Sequence, residues 1–213
     1  MTLITALFLG TITGIVQASF TEWAFHRFWL HRPWLPEGCF TAHTLVHHQL
    51  CRHEDTFEVV EEEQHEALTF QWWGGPLLIA ISMTPWALLW WWFHSLGWAL
   101  PYLPFVVSTA VAFALYYAGY EGLHYLMHLP SIPWIERTRY FQFLKRHHKI
   151  HHIKMNRNLN VLLPLADLCL GTLVTRMPEI TPTPANARTI ARKHGNPKKR
   201  MGHAEGTKEA PLS

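Results

Sequence analysis

An uncharged stretch of 54 residues, Ala67 to Tyr120, constrains the fold of this 213-residue chain more than any other feature. It contains no Asp, Glu, Lys or Arg and is rich in Trp, Phe, Leu and Val. A bilayer crossing needs about 20 apolar residues, so two helices fit within the stretch. We predict them from about Pro76 to Phe93 and from about Pro101 to Tyr120, with a turn between. The alternative is a hairpin buried in a soluble core, where such long uncharged segments are rare.

A third apolar segment, "LITALFLGTITGIVQASF", lies near the N-terminus. A cleaved signal peptide is the alternative to a membrane helix, but the segment lacks a basic n-region and a small-residue cleavage site. All 18 Lys and Arg residues lie outside the apolar segments, which predicts that the C-terminus faces the cytoplasm. The predicted fold class is all-α: an integral membrane protein with three helices, or four as the alternative, and a cytoplasmic, helical, histidine-rich metal-binding cap.

The composition divides the chain into two parts. Residues 1–176 contain every apolar segment and form one predicted membrane domain. Residues 177–213 are rich in Pro, Thr, Ala, Lys and Gly and cannot bury enough apolar surface to offset the entropy of ordering. We therefore expect a disordered cytoplasmic tail. Three cysteines without a framework spacing suit a reducing compartment, and the sequence has no motif for binding nucleic acid.

Ten of the sixteen histidines fall in four short clusters that adjoin or follow apolar segments. The clusters are "HRFWLH" (His26, His31), "HTLVHH" (His43, His47, His48), "HYLMH" (His124, His128) and "HKIHH" (His148, His151, His152). Ionisable residues at a membrane are costly and usually functional, so four such clusters predict a metal site rather than ordinary interfacial histidines. His147 is turned to another helix face and is left out, as are the isolated histidines (His53, His65, His94, His194, His203).

The spacings within the clusters predict how the side chains converge. Residues three or four apart share one face of an α-helix, which places His43 and His47 together with His48 at the edge of their face. His26 and His31 are five apart and converge only if the helix ends or unwinds between them. Ten imidazoles exceed one coordination sphere and divide well between two metals. Imidazole suits Zn, Cu, Fe and Ni, so the residues alone leave the metal open.

The four clusters and their neighbours resemble the fatty acid hydroxylase superfamily of integral membrane proteins, which includes sterol desaturases. Further similar stretches are "YEGLHYLMH", in which Glu121 replaces the usual Asp, "LKRHHKIHH" and "NLNVLLPLADLCLGTL". The resemblance runs from about Thr21 to Leu173. It implies two iron ions held by the ten histidines at the cytoplasmic face, and dioxygen-dependent hydroxylation of an unactivated C–H bond. The implied substrate is a lipid: a fatty acyl chain, sterol, sphingoid base or carotenoid.

The resemblance also suggests supporting residues and partners. Tyr120, Glu121 and Asp167 are candidates to line the pocket or orient the ligands, together with Glu22. Electrons would come from a separate b-type cytochrome or a ferredoxin with its reductase. Membrane lipids are expected partners, and a homo-oligomer would supply contacts that a fourth helix makes elsewhere. Two alternatives stay open: a lipid desaturase with the same centre, and a membrane protein that only binds or transports metal. Transporters place ligands near the bilayer midplane, whereas these clusters adjoin helix ends.

Overall fold

The computed structural model of the chain describes residues 2–52, 56–59, 68–97 and 102–177. Helices are the only regular secondary structure within these ranges, which confirms the all-α prediction. The tail predicted to be disordered lies outside the described residues from position 178 onward. Four of the isolated histidines (His53, His65, His194, His203) lie outside them as well.

Three long helices dominate the fold: α1 (Leu3–Phe25), α4 (Gly74–Ser95) and α5 (Tyr102–His128). The shorter elements carry or flank the histidine clusters. In chain order they are π1 (His26–Leu30), α2 (Glu37–Phe40), π2 (Thr41–His47), α3 (His48–Leu50), α6 (Pro133–Glu136), α7 (Arg139–Ile153) and α8 (Leu165–Cys169), where π1 and π2 are π-helices.

Three helices are long and apolar enough to cross a membrane, as predicted: Leu3–Leu30, Gly74–Ser95 and Tyr102–His128. Large apolar side chains remain exposed along them, which suits a lipid environment. The third span extends eight residues beyond the predicted end at about Tyr120. The helix continues through Glu121, whose carboxylate accepts the backbone N–H of Phe70 at 3.4 Å.

The close contact of α1 with α5 depends on two glycines. A Cβ added at Gly10 would lie 2.1 Å from Ser108 Oγ, and one at Gly14 would lie 2.4 Å from the carbonyl oxygen of Thr109. The Thr109 hydroxyl donates to the Gly10 carbonyl at 3.1 Å. Small residues let the two backbones approach, which is how membrane helices gain packing energy without a hydrophobic driving force.

The segment after α7 returns to the second half of α1 and holds α7 against it. The Ser19 hydroxyl donates to the Leu163 carbonyl at 2.9 Å, and the Trp23 indole N–H donates to the Thr172 hydroxyl at 2.8 Å. From α7, the Tyr140 hydroxyl donates to the Leu162 carbonyl. These contacts bring the histidines of α7 next to those at the C-terminal ends of α1 and α5.

Candidate metal centre

Nine of the ten predicted histidines form two compact groups, each with ligand nitrogens within 4.8 Å of one another. The first group is His26, His31, His43, His48 and His151, and the second group is His47, His128, His148 and His152. The tenth, His124, lies beside the second group, with its ring centroid 4.9 Å from those of His47 and His148. Buried histidine groups of this kind could hold metal ions, and every predicted ligand lies in or next to one of them.

The two π-helices explain how histidines five residues apart converge. The hydrogen bonds of a π-helix join residue i to residue i+5, which brings such residues onto one face. The rings of His26 and His31 stack across π1 with centroids 5.0 Å apart and an interplanar angle of 13°. Across π2, the Nε2 atoms of His43 and His48 lie 3.2 Å apart. The unwinding that the spacing of "HRFWLH" required is therefore a π-helical turn.

His43 and His47 do lie side by side, as expected, with ring centroids 5.2 Å apart and an interplanar angle of 28°, but they belong to different groups. The wider π2 turn aligns His43 with His48 in the first group and directs His47 into the second. The His47 ring centroid lies 4.7 Å from that of His128. In α7, the regular spacing holds: His148 and His152 meet with Nε2 atoms 3.0 Å apart, and His151 turns to the first group.

Backbone carbonyls fix the tautomer of several histidines. Nδ1 lies 2.6 Å from the Leu159 carbonyl oxygen in His26, 2.7 Å from that of Phe57 in His128 and 2.8 Å from that of Arg157 in His151. His124 Nδ1 makes the same contact with Leu68, at 3.0 Å. A carbonyl only accepts, so each Nδ1 carries the proton and each Nε2 presents a lone pair. Metal-binding histidines are usually oriented by partners of this type.

The contact between His31 and His151 favours a bound cation. Their Nε2 atoms lie 3.0 Å apart. His31 Nδ1 lies 3.0 Å from the Thr44 hydroxyl, which itself donates to the Leu30 carbonyl at 2.6 Å and so accepts from His31. Both rings therefore carry the proton on Nδ1 and direct lone pairs at each other, which is repulsive unless a positive ion lies between them. The donor set thus fits a metal ion.

The distances between histidine nitrogens match those between two ligands of one metal ion. Metal–nitrogen bonds of about 2.1 Å place two nitrogens about 3.0 Å apart at right angles and about 3.4 Å apart at the tetrahedral angle. The closest pairs of the first group are 2.9 Å (His26 with His43) and 3.0 Å (His31 with His151). Nitrogens 2.9–3.2 Å apart can therefore share one metal ion. Five candidate ligands also exceed the four of a structural zinc site.

Seven of the grouped histidines lie outside the membrane spans and are held neutral, which is the form that binds metal. Burial, and then repulsion from neighbouring histidines, lowers the pKa of His43, His47, His48, His148 and His152 well below the usual 6.5. Burial also lowers the pKa of His31 to about 2 and of His151 to about 4. Protons therefore compete weakly with a metal at neutral pH.

Asp167 anchors the backbone that orients His26. Its carboxylate accepts the N–H groups of Leu159 and Asn160 at 2.9 and 2.8 Å and the Thr172 hydroxyl at 2.6 Å. Burial opposes ionisation, yet these bonds and the contact with His147 outweigh it and lower the pKa of Asp167. Because the Leu159 carbonyl accepts from His26, the carboxylate acts on the first group through the backbone.

Glu22 extends this anchor to α1. Its carboxylate accepts the Tyr116 hydroxyl at 2.6 Å, the Asn160 side-chain N–H at 3.0 Å and the Val161 backbone N–H. Asn160 also accepts the Asp167 backbone N–H through its side-chain oxygen, at 3.0 Å. The carboxylates of Asp167 and Glu22 therefore both bind the backbone between Leu159 and Val161.

Tyr120 and Glu121 lie near the second group without joining it. The Tyr120 ring is buried and parallel to that of His124, with centroids 5.9 Å apart. Glu121 contacts the Phe70 amide rather than a histidine. Tyr120 also lines an apolar cleft between the long helices, which reaches His26 of the first group. Its other aromatic lining residues are Phe25, Phe70, Phe113, Tyr116 and Tyr117.

Two contributing residues were not found from the sequence. His147 is buried, and its Nε2 lies 3.1 Å from Asp167, so it supports the anchor instead of a metal. Its spacing of four from His151 was the available signal, but spacing does not distinguish a ligand from a partner of a carboxylate. Thr44 carries no signal at all, because its role depends on the unusual turn of π2.

In the part of the chain that the structure describes, the fold and the site define a helical protein with three membrane-length helices and a buried, histidine-rich cluster that could hold metal. No family model matches the chain. No curated protein and no solved structure matches it significantly either. The resemblance to the fatty acid hydroxylase superfamily therefore rests on the histidine motifs and their neighbours.

Proposed function

We propose that this protein is a membrane-bound, non-haem di-iron oxygenase that hydroxylates an unactivated C–H bond of a lipid with dioxygen and two external electrons. The observation that carries the proposal is the pair of adjacent, all-histidine groups at the ends of membrane-length helices. The doublets of "HTLVHH" and "HKIHH" each supply both groups, which supports a dinuclear centre. Metal ions bound there would supply the redox chemistry that activates dioxygen.

Iron is favoured by the chemistry of the proposed substrate and by the coordination. An aliphatic C–H bond offers no group for acid–base attack, so the metal has to be redox-active, which zinc is not. Imidazole suits iron, and the five histidines of the first group exceed the four ligands of a structural zinc site. The histidine motifs that resemble those of the superfamily support the same choice.

The side chains of this protein would bind the metals, orient the histidine rings and shield the centre from water. The histidines hold the metals in fixed directions, since carbonyls of Leu159, Phe57 and Arg157 set their rings. Burial of nearly the whole cluster excludes water from it. The apolar cleft between α1, α4 and α5 has a volume of about 30 Å³, so its side chains would move to let a lipid carbon approach His26. Tyr116 and Glu22 are hydrogen-bonded to each other at its wall.

The proposed sidedness follows from charge. Basic residues flank the histidine clusters and are absent from the turn between α4 and α5, so the metal centre would face the cytoplasm. A separate b-type cytochrome or ferredoxin system would deliver electrons on that side. The exposed basic residues Arg137, Arg139 and Arg146 would contact such an acidic donor or anionic lipid headgroups.

Labelled dioxygen tests the proposal. Protein purified anaerobically from iron-replete cells should contain about two irons per chain, one for each histidine group. With a lipid extract, an electron donor and ¹⁸O₂, mass spectrometry should find the label in a new hydroxyl group. His148→Ala should lose metal at the second group and abolish the product. Label from water would contradict the oxygenase. A new double bond without label would identify the desaturase, and metal without any oxygen-dependent product would favour a binding or transport protein.

A further inference from the structure

Thr44 makes the contact that sets the protonation of His31. Its Oγ1 lies 2.6 Å from the Leu30 carbonyl oxygen and 3.0 Å from His31 Nδ1. A threonine hydroxyl has one proton to donate, and the carbonyl only accepts, so the proton goes to Leu30. The hydroxyl oxygen then accepts from His31, which fixes the imidazole proton on Nδ1.

His31 differs in this respect from three other members of the two groups. His26, His128 and His151 bond through Nδ1 to backbone carbonyls, which substitutions do not remove. His31 bonds instead to a side chain, and it is less deeply buried than those three residues. Its tautomer therefore depends on one hydroxyl group that mutation can delete.

We propose that Thr44 is a positioning residue for the metal of the first group. By accepting a hydrogen bond from Nδ1–H, it keeps His31 Nε2 unprotonated and directed toward His151 Nε2, 3.0 Å away. The inference rests on the metal binding of the proposed function but not on the reaction. Without Thr44, the proton can move to Nε2 and form a hydrogen bond to His151, which satisfies both rings and competes with the metal.

Removal of the hydroxyl should weaken one metal site only. Loss of an orienting partner typically reduces metal affinity about 10- to 100-fold. We expect Thr44→Val to cause such a loss at the first group and to leave the second group unchanged, since none of its histidines contacts Thr44 through a hydrogen bond in the described structure. Thr44→Ser keeps the hydroxyl and should bind both metals like the original protein.

The test is an anaerobic titration of the metal-free, full-length protein in detergent with Co²⁺. Visible absorption reports the ligand environment of cobalt, and metal analysis after gel filtration reports the stoichiometry. Thr84→Val is the matched control, because its hydroxyl also donates to a carbonyl, that of Ala80, but on exposed α4 far along the chain from the histidines. Thermal unfolding of each metal-free variant reports whether it folds.

A double-mutant cycle separates positioning from a structural role. If Thr44 acts through His31, Thr44→Val should weaken cobalt binding in the original protein and change nothing further in a His31→Ala background. Equal losses in both backgrounds, or equal affinities of Thr44→Val and Thr84→Val, would overturn the proposal. An unmodified protein that binds no cobalt would overturn the metal centre with it. An unmodified protein that binds cobalt but yields no oxygenated lipid would overturn only the proposed reaction.

Discussion

His47 and His48 are neighbours in the sequence, yet they belong to different histidine groups. His48 Nε2 lies 3.2 Å from His151 Nε2 in the first group, whereas the His47 ring lies 4.7 Å from His128 in the second. His151 and His152 divide between the groups in the same way. At each of these two doublets a single peptide bond therefore joins the first group to the second, which holds the two groups next to each other.

This division predicts that His47→Ala and His48→Ala affect different metals. Each variant should lose about 10-fold or more in affinity at one site and keep the other, since removal of a ligand costs at least as much as removal of its orienting partner. Competition with a chelator, followed by metal analysis, measures the two affinities. His94→Ala, an exposed histidine on α4, is the control and should retain both metals. Loss of both metals in each single variant would contradict two separable groups.

The three long helices could be predicted because their signal is local composition. Apolar runs of membrane length identify α1, α4 and α5, and the structure changes only their ends. The end of α5 was placed at Tyr120 because a charged residue follows, but the Phe70 amide binds Glu121 and the helix continues to His128. That contact joins residues 51 positions apart, so no local pattern indicates it.

The histidines of the candidate site could also be predicted, but not which of them belong to the first group and which to the second. Clustered spacing identified all ten histidines, and nine of them form the two groups. Their assignment depends on π1 and π2, whose hydrogen bonds differ from the α-helical rule used to read spacing. The Asp167 carboxylate contacts Leu159, Asn160, Thr172 and His147. Two of these contacts are to backbone N–H groups and a third is to His147, which the analysis of spacing left out. A sequence motif does not identify contacts of either kind.

Asp167→Asn should destabilise the protein, although the Asn side chain has nearly the same size and shape as that of Asp. The backbone N–H groups of Leu159 and Asn160 and the Thr172 hydroxyl all donate to this carboxylate. An amide directs its own NH₂ group at one of these donors and leaves a buried polar group unpaired, at a cost of about 1–3 kcal/mol. The thermal midpoint of the metal-free protein should fall, and iron affinity should fall with it, because Leu159 orients His26.

Glu58→Gln is the matched control for Asp167→Asn. Glu58 is exposed and pairs with Lys145 at 2.6 Å, a contact of the surface type that contributes about 0–1 kcal/mol. The thermal midpoint of this variant should remain close to that of the original protein. A midpoint for Asp167→Asn equal to that of Glu58→Gln would show that the anchor contributes little.

The metal-free protein should lose stability as the pH falls below about 6.5. Burial and neighbouring histidines lower the pKa of His148 well below 6.5, and burial lowers that of His151 to about 4. The unfolded chain, with ordinary histidines, therefore binds more protons than the folded chain between pH 6.5 and about 4, and unfolding becomes favoured. Each unit of depression corresponds to about 1.4 kcal/mol per histidine.

Thermal unfolding at several pH values between about 7.5 and 5 measures this dependence. The midpoint should change little above pH 7 and fall steeply below about 6.5, and bound iron should shift the fall to lower pH because it competes with protons. His94→Ala should follow the same curve, since His94 is exposed. A midpoint independent of pH in the metal-free protein would mean that the histidines are not held neutral.

Gly75→Ala should slow lipid oxidation without loss of metal. A Cβ at Gly75 would lie 2.3 Å from Tyr117 Cε1 and 2.5 Å from its Cζ, so the ring has to move. Tyr117 lines the cleft that reaches His26, and a displaced ring would narrow it. A small misplacement of the substrate lowers the reaction rate strongly. We therefore expect product formation to fall about 10-fold or more at unchanged iron content.

Gly122→Ala provides the comparison for Gly75→Ala, because a Cβ there meets no atom within 4 Å. Ala favours the helix at Gly122, inside α5, by about 1 kcal/mol, and at Gly75, in the first turn of α4, by less. Neither gain narrows the cleft, so a difference in product formation reports the contact with Tyr117. Lipid mass spectrometry and iron analysis of the two variants, side by side, measure the effect. Equal product formation would mean that the lipid does not pass Tyr117, since the ring moves in only one of the two variants.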